Sequence, residues 1–219
     1  MADPASLDLF GDALTPARTE LAEGAVVLHG HASAAAGELL AIIARVSALA
    51  PFRHMQTPGG RRMSVAMTSC GQAGWVTDTR GYRYATEDPL SGQPWPPMPS
   101  VFSAFAREAA AAGGFAGFES DACLINRYEP GARMALHQDQ DEADFAQPIV
   151  SVSLGLPARF AFGGLNRRDP VRRVTLQHGD VVVWGGPSRL VFHGVEEVKD
   201  GAHPATGRSR FNLTFRRAG

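Results

Sequence analysis

From residue 120 to its C-terminus the chain reads as one short strand after another, and this constrains the fold more than any other feature. Candidate strands lie at 122–128, 133–137, 148–154, 158–162, 172–177, 180–184, 189–193 and 209–216, broken by Gly, Pro and Asn-Arg turns. Many short strands at this spacing favour a sandwich or jelly roll. The last candidate is the clearest. In Arg210-Phe211-Asn212-Leu213-Thr214-Phe215-Arg216, polar and apolar residues alternate without a break. Arg210, Asn212, Thr214 and Arg216 therefore share one face, and Phe211, Leu213 and Phe215 the other. A solvated polar face is the ordinary meaning of such a pattern. On the inner face of a closed barrel, however, two guanidinium groups and an amide would form a dicarboxylate site, because guanidinium forks bind carboxylates through paired, charge-assisted hydrogen bonds. Buried arginines without a partner would be very costly. In Leu124-Ile125-Asn126-Arg127-Tyr128, Asn126 and Tyr128 share a face and Arg127 opposes them. An amide and a phenol together can hydrogen-bond a carboxylate or a keto oxygen.

A second pattern lies among these strands. His137-Gln138-Asp139 is answered downstream by His193, which closes the apolar run Ser188-Arg189-Leu190-Val191-Phe192. Two imidazoles and one carboxylate are the protein ligands of non-haem iron(II) sites with open coordination positions. If 137–139 is extended, residues i and i+2 point the same way and both reach one ion. His193 would arrive from a second strand. A His-x-Asp pair also arises by chance, and a lone histidine is more often a core or surface residue. Zinc accepts the same donors, but the chain has no HExxH helix, and a zinc hydrolase would leave the Arg210/Arg216 strand without a purpose. A calcium loop fits poorly, since Ala143 stands where a third oxygen ligand belongs.

Upstream, residues 1–22 are rich in Ala, Asp, Pro and Thr and are expected to be loosely held. Over 23–50 the pattern predicts a strand at 25–28 and a helix from Ser33, its N-cap, to Leu49, stopped at Pro51. Residues 51–99 mix Gly, Pro, aromatics and arginines, and so long an irregular stretch suggests a lid or binding surface. A second helix is expected over 100–112, closed by Gly113-Gly114. The 219 residues suffice for one core, or a core with a small subdomain. With a net charge of -1, the whole-chain balance argues neither for nor against nucleic acid. Cys70 and Cys123 offer no disulfide framework and no CxxC pattern. Reduced thiols, the lack of a signal-peptide pattern in residues 1–20 and the lack of a membrane-length apolar run lead to the expectation of a cytoplasmic chain without membrane contact.

Together these stretches resemble the AlkB family of Fe(II)- and 2-oxoglutarate-dependent dealkylases of nucleic acids. The matching segments include Thr57-Pro58-Gly59-Gly60, Met63-Ser64-Val65-Ala66-Met67-Thr68, Gly74-Trp75, Leu124-Ile125-Asn126-Arg127-Tyr128 and His137-Gln138-Asp139-Gln140-Asp141-Glu142. They continue with Ile149-Val150-Ser151-Val152-Ser153-Leu154-Gly155, His178-Gly179-Asp180-Val181-Val182-Val183-Trp184, His193-Gly194 and the Arg210–Arg216 strand. A weaker match, Leu7-Asp8-Leu9-Phe10, lies near the start.

The resemblance implies a mainly β fold with flanking helices. A double-stranded β-helix core would occupy 100–219, with a nucleotide-recognition lid over 51–99. It implies iron held by His137, Asp139 and His193, and 2-oxoglutarate held by Asn126, Tyr128, Arg210, Asn212 and Arg216. The implied reaction is oxidative demethylation, with succinate, carbon dioxide and formaldehyde as products. The implied substrates are 1-methyladenine and 3-methylcytosine in single- or double-stranded DNA, with RNA as a further possibility, and the enzyme is expected to be a monomer.

Those two lesions are cations at neutral pH, so a pocket pairing an aromatic face with a carboxylate should favour the damaged base. Trp75 can supply the face, a contact worth about 0.5–2 kcal/mol. Asp141, two residues after Asp139, can supply the carboxylate. The resemblance adds Thr57, Met67, Tyr82 and Arg167 to the substrate side. Arg61-Arg62 and Arg167-Arg168 read equally well as groove charges on a phosphate backbone or as a solvated face. Other readings keep the same barrel: an RNA demethylase, a hydroxylase of small molecules or proteins, and a binding module without activity.

Overall fold

A computed structural model describes residues 18–219. In chain order the elements are β1 (Arg18–Ala22), β2 (Ala25–Leu28), α1 (Ala36–Leu49), β3 (Ala66–Gly71), β4 (Gly74–Asp78), β5 (Gly81–Ala85), α2 (Ser100–Ala112), β6 (Ala122–Tyr128), β7 (Met134–His137), β8 (Ile149–Gly155), β9 (Ala158–Phe162), β10 (Arg172–Leu176), β11 (Val181–Trp184), β12 (His193–Val195) and β13 (Arg210–Arg216). They form a seven-stranded sheet in the order β1-β2-β11-β8-β13-β6-β3 and a four-stranded sheet in the order β10-β9-β12-β7, with β4-β5 as a separate hairpin. This is the jelly-roll arrangement expected.

The period-two pattern of the strands divides the core into two layers. Val26, Leu28, Cys123, Ile125, Val150, Val152, Val181, Val183, Leu213 and Phe215 pack outward against α1 and α2. Their neighbours Ala25, Val27, Leu124, Tyr128, Ile149, Val182 and Trp184 point inward and meet Phe160, Phe162 and Val195 of the smaller sheet. Helix α1 buries Leu39, Ile42, Ile43 and Val46, and α2 buries Phe102, Phe105 and Ala109, each along one helical stripe. In the centre of the large sheet the inward positions are polar. Asn126, Ser151, Ser153, Arg210, Asn212, Thr214 and Arg216 are all buried there. Cross-strand register pairs Arg210 with Tyr128 and Asn212 with Asn126.

Four expectations need correction. The segment 1–22 was expected to be loose, yet Arg18–Ala22 is strand β1, paired with β2; the rest of the segment, including the Leu7–Phe10 match, lies outside the described residues. Helix α1 begins at Ala36 rather than after Ser33, because residues 30–35 are spent on a turn whose Ala32 N–H bonds the Gly179 carbonyl at 2.8 Å. The run 189–193 is not a strand. A short 3-10 turn at Gly186–Ser188 leads into a loop, and the strand begins at His193. The cause is Arg189, a buried guanidinium that bends the segment towards its acceptors. Finally, the large sheet draws β1, β2 and β3 from before residue 100, so the core is not confined to 100–219, and within 51–99 only the β4-β5 hairpin forms a sheet of its own. No helix among the described residues is long and apolar enough to cross a membrane.

Candidate metal centre and adjoining pocket

His137 ends β7 and His193 begins β12, and the two are direct partners in the antiparallel register. Gly194 makes the close approach of these strands possible: a Cβ there would lie 2.7 Å from the Met134 carbonyl oxygen. The imidazole centroids are 4.5 Å apart. Asp139 follows in the loop after β7, not in an extension of the strand, and its carboxylate sits between the rings. Oδ1 is 3.5 Å from His137 Nε2, and Oδ2 is 3.7 Å from His193 Nε2. The ligand atoms of the three residues all lie within 4.8 Å of one another. Metal–ligand bonds of about 2.1 Å bring donor atoms to similar separations.

Backbone carbonyls set the tautomers. His137 Nδ1 lies 2.8 Å from the Ala135 oxygen and His193 Nδ1 lies 3.1 Å from the Val191 oxygen. A carbonyl only accepts, so each neutral ring donates through Nδ1 and turns a bare Nε2 toward the centre, the usual outer support of a metal-bound histidine. Charge is arranged to match. Burial works to raise the Asp139 pKa, but Arg216 and then the two histidines hold it well below the carboxylate range. Burial and the neighbouring His137 push His193 down to about 4. In His137 burial pulls the same way, but the Asp139 hydrogen bond and charge outweigh it and the pKa is raised.

Beside this triad lies an internal cavity lined by Asn126, Tyr128, Ser151, Arg210, Asn212 and Trp184. Arg210 is buried, 1 % exposed, and lies over the Tyr128 ring at 4.9 Å. One nitrogen, Nη2, donates to Ser153 Oγ at 2.9 Å, while Nε and Nη1 are buried with no partner. Orphaned guanidinium donors in a cavity are the strongest local sign of an anionic ligand, since leaving them unpaired is costly. Asn126 Nδ2 donates to Asn212 Oδ1 at 3.1 Å, and Asn212 Nδ2 donates to Ser151 Oγ at 2.8 Å. Arg216 lines the same cavity but is committed elsewhere: its Nε and Nη2 bond Asp139 Oδ2 at 2.9 and 2.5 Å.

Four of the expected substrate residues, Trp75, Asp141, Tyr82 and Arg167, connect to the surroundings of the triad, while Thr57 and Met67 do not. Trp75 on β4 donates from Nε1 to Asp141 Oδ2 at 2.7 Å and stacks on Tyr82 of β5, with centroids 5.6 Å apart. Asp141 is exposed, and so is Tyr82. Arg167 donates to the carbonyl of Leu136, next to His137, at 2.6 Å. Thr57 lies in a tight turn where its Oγ1 accepts from the Arg61 N–H at 3.2 Å. Met67 is fully buried in the inward layer of β3, with no surface to offer a base. Arg61, Arg62 and Arg168 are exposed.

Sequence reasoning missed a buried ion-pair network behind the triad. Glu142 reads from sequence as part of a solvated acidic loop. Its carboxylate is in fact buried between Arg189 (3.1 Å), Arg216 (3.2 Å) and the Tyr84 hydroxyl, which donates at 2.7 Å. The available signal was Arg189 itself, a single charge inside an apolar run.

Comparison with known proteins agrees with this geometry. Residues 24–216 match the family model of the 2OG-Fe(II) oxygenase superfamily. The alpha-ketoglutarate-dependent dioxygenase AlkB of Salmonella typhimurium is 58% identical over 212 residues, covering 97% of this chain and 98% of that protein. The mouse nucleic acid dioxygenase ALKBH1 is 34% identical over 125 residues, 57% of this chain and 32% of its own length. The solved structure of OsALKBH1 superposes with a TM-score of 0.80 at 30% identity, covering 92% of this chain and all of that one.

Proposed function

Since the chain belongs to the AlkB family within the 2OG-Fe(II) oxygenase superfamily, we propose that it repairs N-alkylated bases in DNA by direct oxidative reversal, with 1-methyladenine and 3-methylcytosine as substrates. The observation that carries the reading is the adjacency of three elements: the His137/Asp139/His193 triad, a buried Arg210 with two unpartnered N–H donors, and a Trp75–Asp141 pair at the opening. A bound Fe(II), with 2-oxoglutarate and oxygen, supplies the oxidising power that hydroxylates the N-methyl carbon and yields formaldehyde, succinate and carbon dioxide.

The protein's part is placement. His137 and His193 present Nε2, and Asp139 presents the carboxylate oxygen not fastened by Arg216. Arg210, with Tyr128 and Ser153 around it, takes a cosubstrate carboxylate. The Asn126–Asn212 pair supplies further polar contacts in the same cavity. Phe160 and Trp184 wall the histidine side with apolar surface and keep bulk water out. A base inside a duplex cannot reach this depth, so the target must come from a single strand or be flipped out. At the mouth it meets the free face of Trp75 and the Asp141 carboxylate, which favour a cationic ring over a neutral one. Tyr82, Thr57 and Arg167 are the residues assigned to contacts with the neighbouring backbone, with Arg61 and Arg62 adding charge. The enzyme acts as a monomer in the cytoplasm, where its thiols Cys70 and Cys123 stay reduced.

The test is formaldehyde release and base restoration on oligonucleotides carrying each lesion, as DNA and as RNA, with and without ferrous iron and 2-oxoglutarate. Turnover that needs both additions and prefers DNA is expected. Full cofactor supply without restoration of either base would refute the substrate, and faster turnover on RNA would reassign it.

A further inference from the structure

The three metal ligands arrive on two segments, and each segment leaves its strand at the site: β7 ends at His137, β12 begins at His193, and Asp139 lies outside both. After His137 the chain runs without regular structure until Ile149. Before His193 it is a loop from Arg189 onward. Something other than sheet hydrogen bonds must hold Asp139 in place. Arg189 reaches across from the second segment and meets the first three times. Its Nη1 donates to the Asp139 carbonyl at 2.8 Å, its Nε to the Gln147 carbonyl at 2.9 Å, and its Nη2 to Glu142 Oε2 at 3.1 Å. Gln138 returns the tie by donating to the Leu190 carbonyl. The Arg189 side chain is 3 % exposed and Glu142 2 %, so water cannot substitute for these bonds.

Glu142 extends the clamp in two directions. It shares Arg216 with Asp139, and it accepts the hydroxyl of Tyr84 from strand β5 of the lid hairpin. Two carboxylates and two guanidiniums thus form one buried set, and removing one cation redistributes the other. Without Arg189, Glu142 competes for Arg216 and draws it from Asp139.

We propose that Arg189 is a positioning residue of the metal centre, fixing the Asp139 loop through its backbone while Arg216 holds the carboxylate, and, through Glu142 and Tyr84, joining the lid hairpin to that loop. Arg189 touches neither metal nor substrate, so its effect is felt in ligand geometry and lid order. The inference rests on the metal reading of the triad and is tested separately from it.

The experiment titrates Co(II) into the full-length protein anaerobically, following the visible spectrum, and measures amide hydrogen exchange in 74–85. The proteins are wild type, Arg189→Met, Arg189→Lys and His193→Ala. Outer supports of metal ligands typically contribute about 10–100-fold in affinity. Arg189→Met should weaken Co(II) binding by about 10-fold or more, alter the cobalt spectrum and speed exchange in the hairpin. Arg189→Lys keeps the charge beside Glu142 but cannot serve three acceptors at once, so it should fall between the two. Co(II) affinity within twofold of wild type in both variants, with an unchanged spectrum, overturns the proposal. If Arg189→Met does not fold, Arg189→Lys decides on the same criterion. A wild-type protein that binds Co(II) no better than His193→Ala would instead sink the metal reading itself.

Discussion

Replacing Arg210 by Met separates ligand binding from stability in a way few other changes at this site would. The free protein buries a guanidinium with two nitrogens, Nε and Nη1, unpartnered and only Ser153 as a hydrogen-bond partner. Burial accordingly lowers the Arg210 pKa, against the opposing influence of Tyr128. A buried charge so poorly matched contributes little to folding, and an apolar residue of comparable length is often neutral or stabilising in its place. The variant should therefore unfold within about 1 kcal/mol of wild type, the loss of the Ser153 bond being of that size. With 2-oxoglutarate the balance reverses. Truncating one partner of a buried, hydrogen-bonded charge pair costs about 2–5 kcal/mol of binding, on the order of 30- to several thousand-fold in Kd. Thermal unfolding with and without 2-oxoglutarate, at a fixed Mn(II) concentration, reads both effects. At a ligand concentration about 100 times the wild-type Kd, linkage stabilises wild type by about 2.7 kcal/mol, and a variant weakened about 100-fold by only about 0.4 kcal/mol. Equal stabilisation of both proteins would remove Arg210 from the cosubstrate site. Collapse of the free variant would show that the guanidinium is a structural group.

Asp141→Ala should slow repair of the cationic lesions by up to about fivefold, the worth of roughly 1 kcal/mol at an exposed carboxylate, while 2-oxoglutarate titrates as before. Equal damage to both would mean that Asp141 serves Asp139 instead. Tyr82→Ala removes the stack behind Trp75, worth about 0.5–1.5 kcal/mol, and should raise KM for the methylated oligonucleotide without moving metal affinity. The pH dependence of metal uptake follows from the imidazoles. At about pH 6, below the ordinary histidine value near 6.5, the raised His137 carries a proton in the free protein, whereas His193, at about 4, does not. Metal binding there should release one proton and not two, measurable by calorimetry in buffers of different ionisation enthalpy. For the metal-free fold the signs oppose. The His193 contribution is present above about 6.5 and lost as pH falls towards about 4, while the His137 contribution is present below its unfolded value and lost as pH rises through its raised value.

The barrel was legible because two-residue periodicity survives burial. In β13 the alternation seen in sequence is the alternation observed, with Phe211, Leu213 and Phe215 on the helix-facing side and Arg210 and Arg216 inside. The triad was legible for a different reason, since an ion accepts few donor sets and two histidines with one carboxylate are among them. What stayed hidden is what long-range charge pairing decides. Nothing local marks Glu142 as buried, because it follows Asp141 in an acidic run and its partners Arg189, Arg216 and Tyr84 come from three distant segments. The same pairing turned 189–192 from an expected strand into a loop. Met67 shows the complementary error: the resemblance placed it at the substrate, while β3 pairing with β6 buries it completely.

The charges of the site give the proposed role of Asp141 a physical ground. Behind the triad, Asp139 and Glu142 are balanced by Arg189 and Arg216. A dication with dianionic 2-oxoglutarate adds no net charge, and the imidazoles bind metal as neutral donors. With Arg210 counted, these described residues and ligands carry one net positive charge, and a methylated base bringing its own positive charge would enter against it. In the proposed reading, Asp141 beside Trp75 offsets that charge. Because Asp141 is exposed, its attraction is screened by salt, so the expected preference for cationic over neutral alkylated bases should narrow as ionic strength rises. In Asp141→Ala the preference should be small at every salt concentration. Competition assays with 3-methylcytosine and a neutral alkylated base, run from low to high salt, would expose a flat profile in the wild-type protein, and a flat profile would mean that selectivity comes from pocket shape and not from charge.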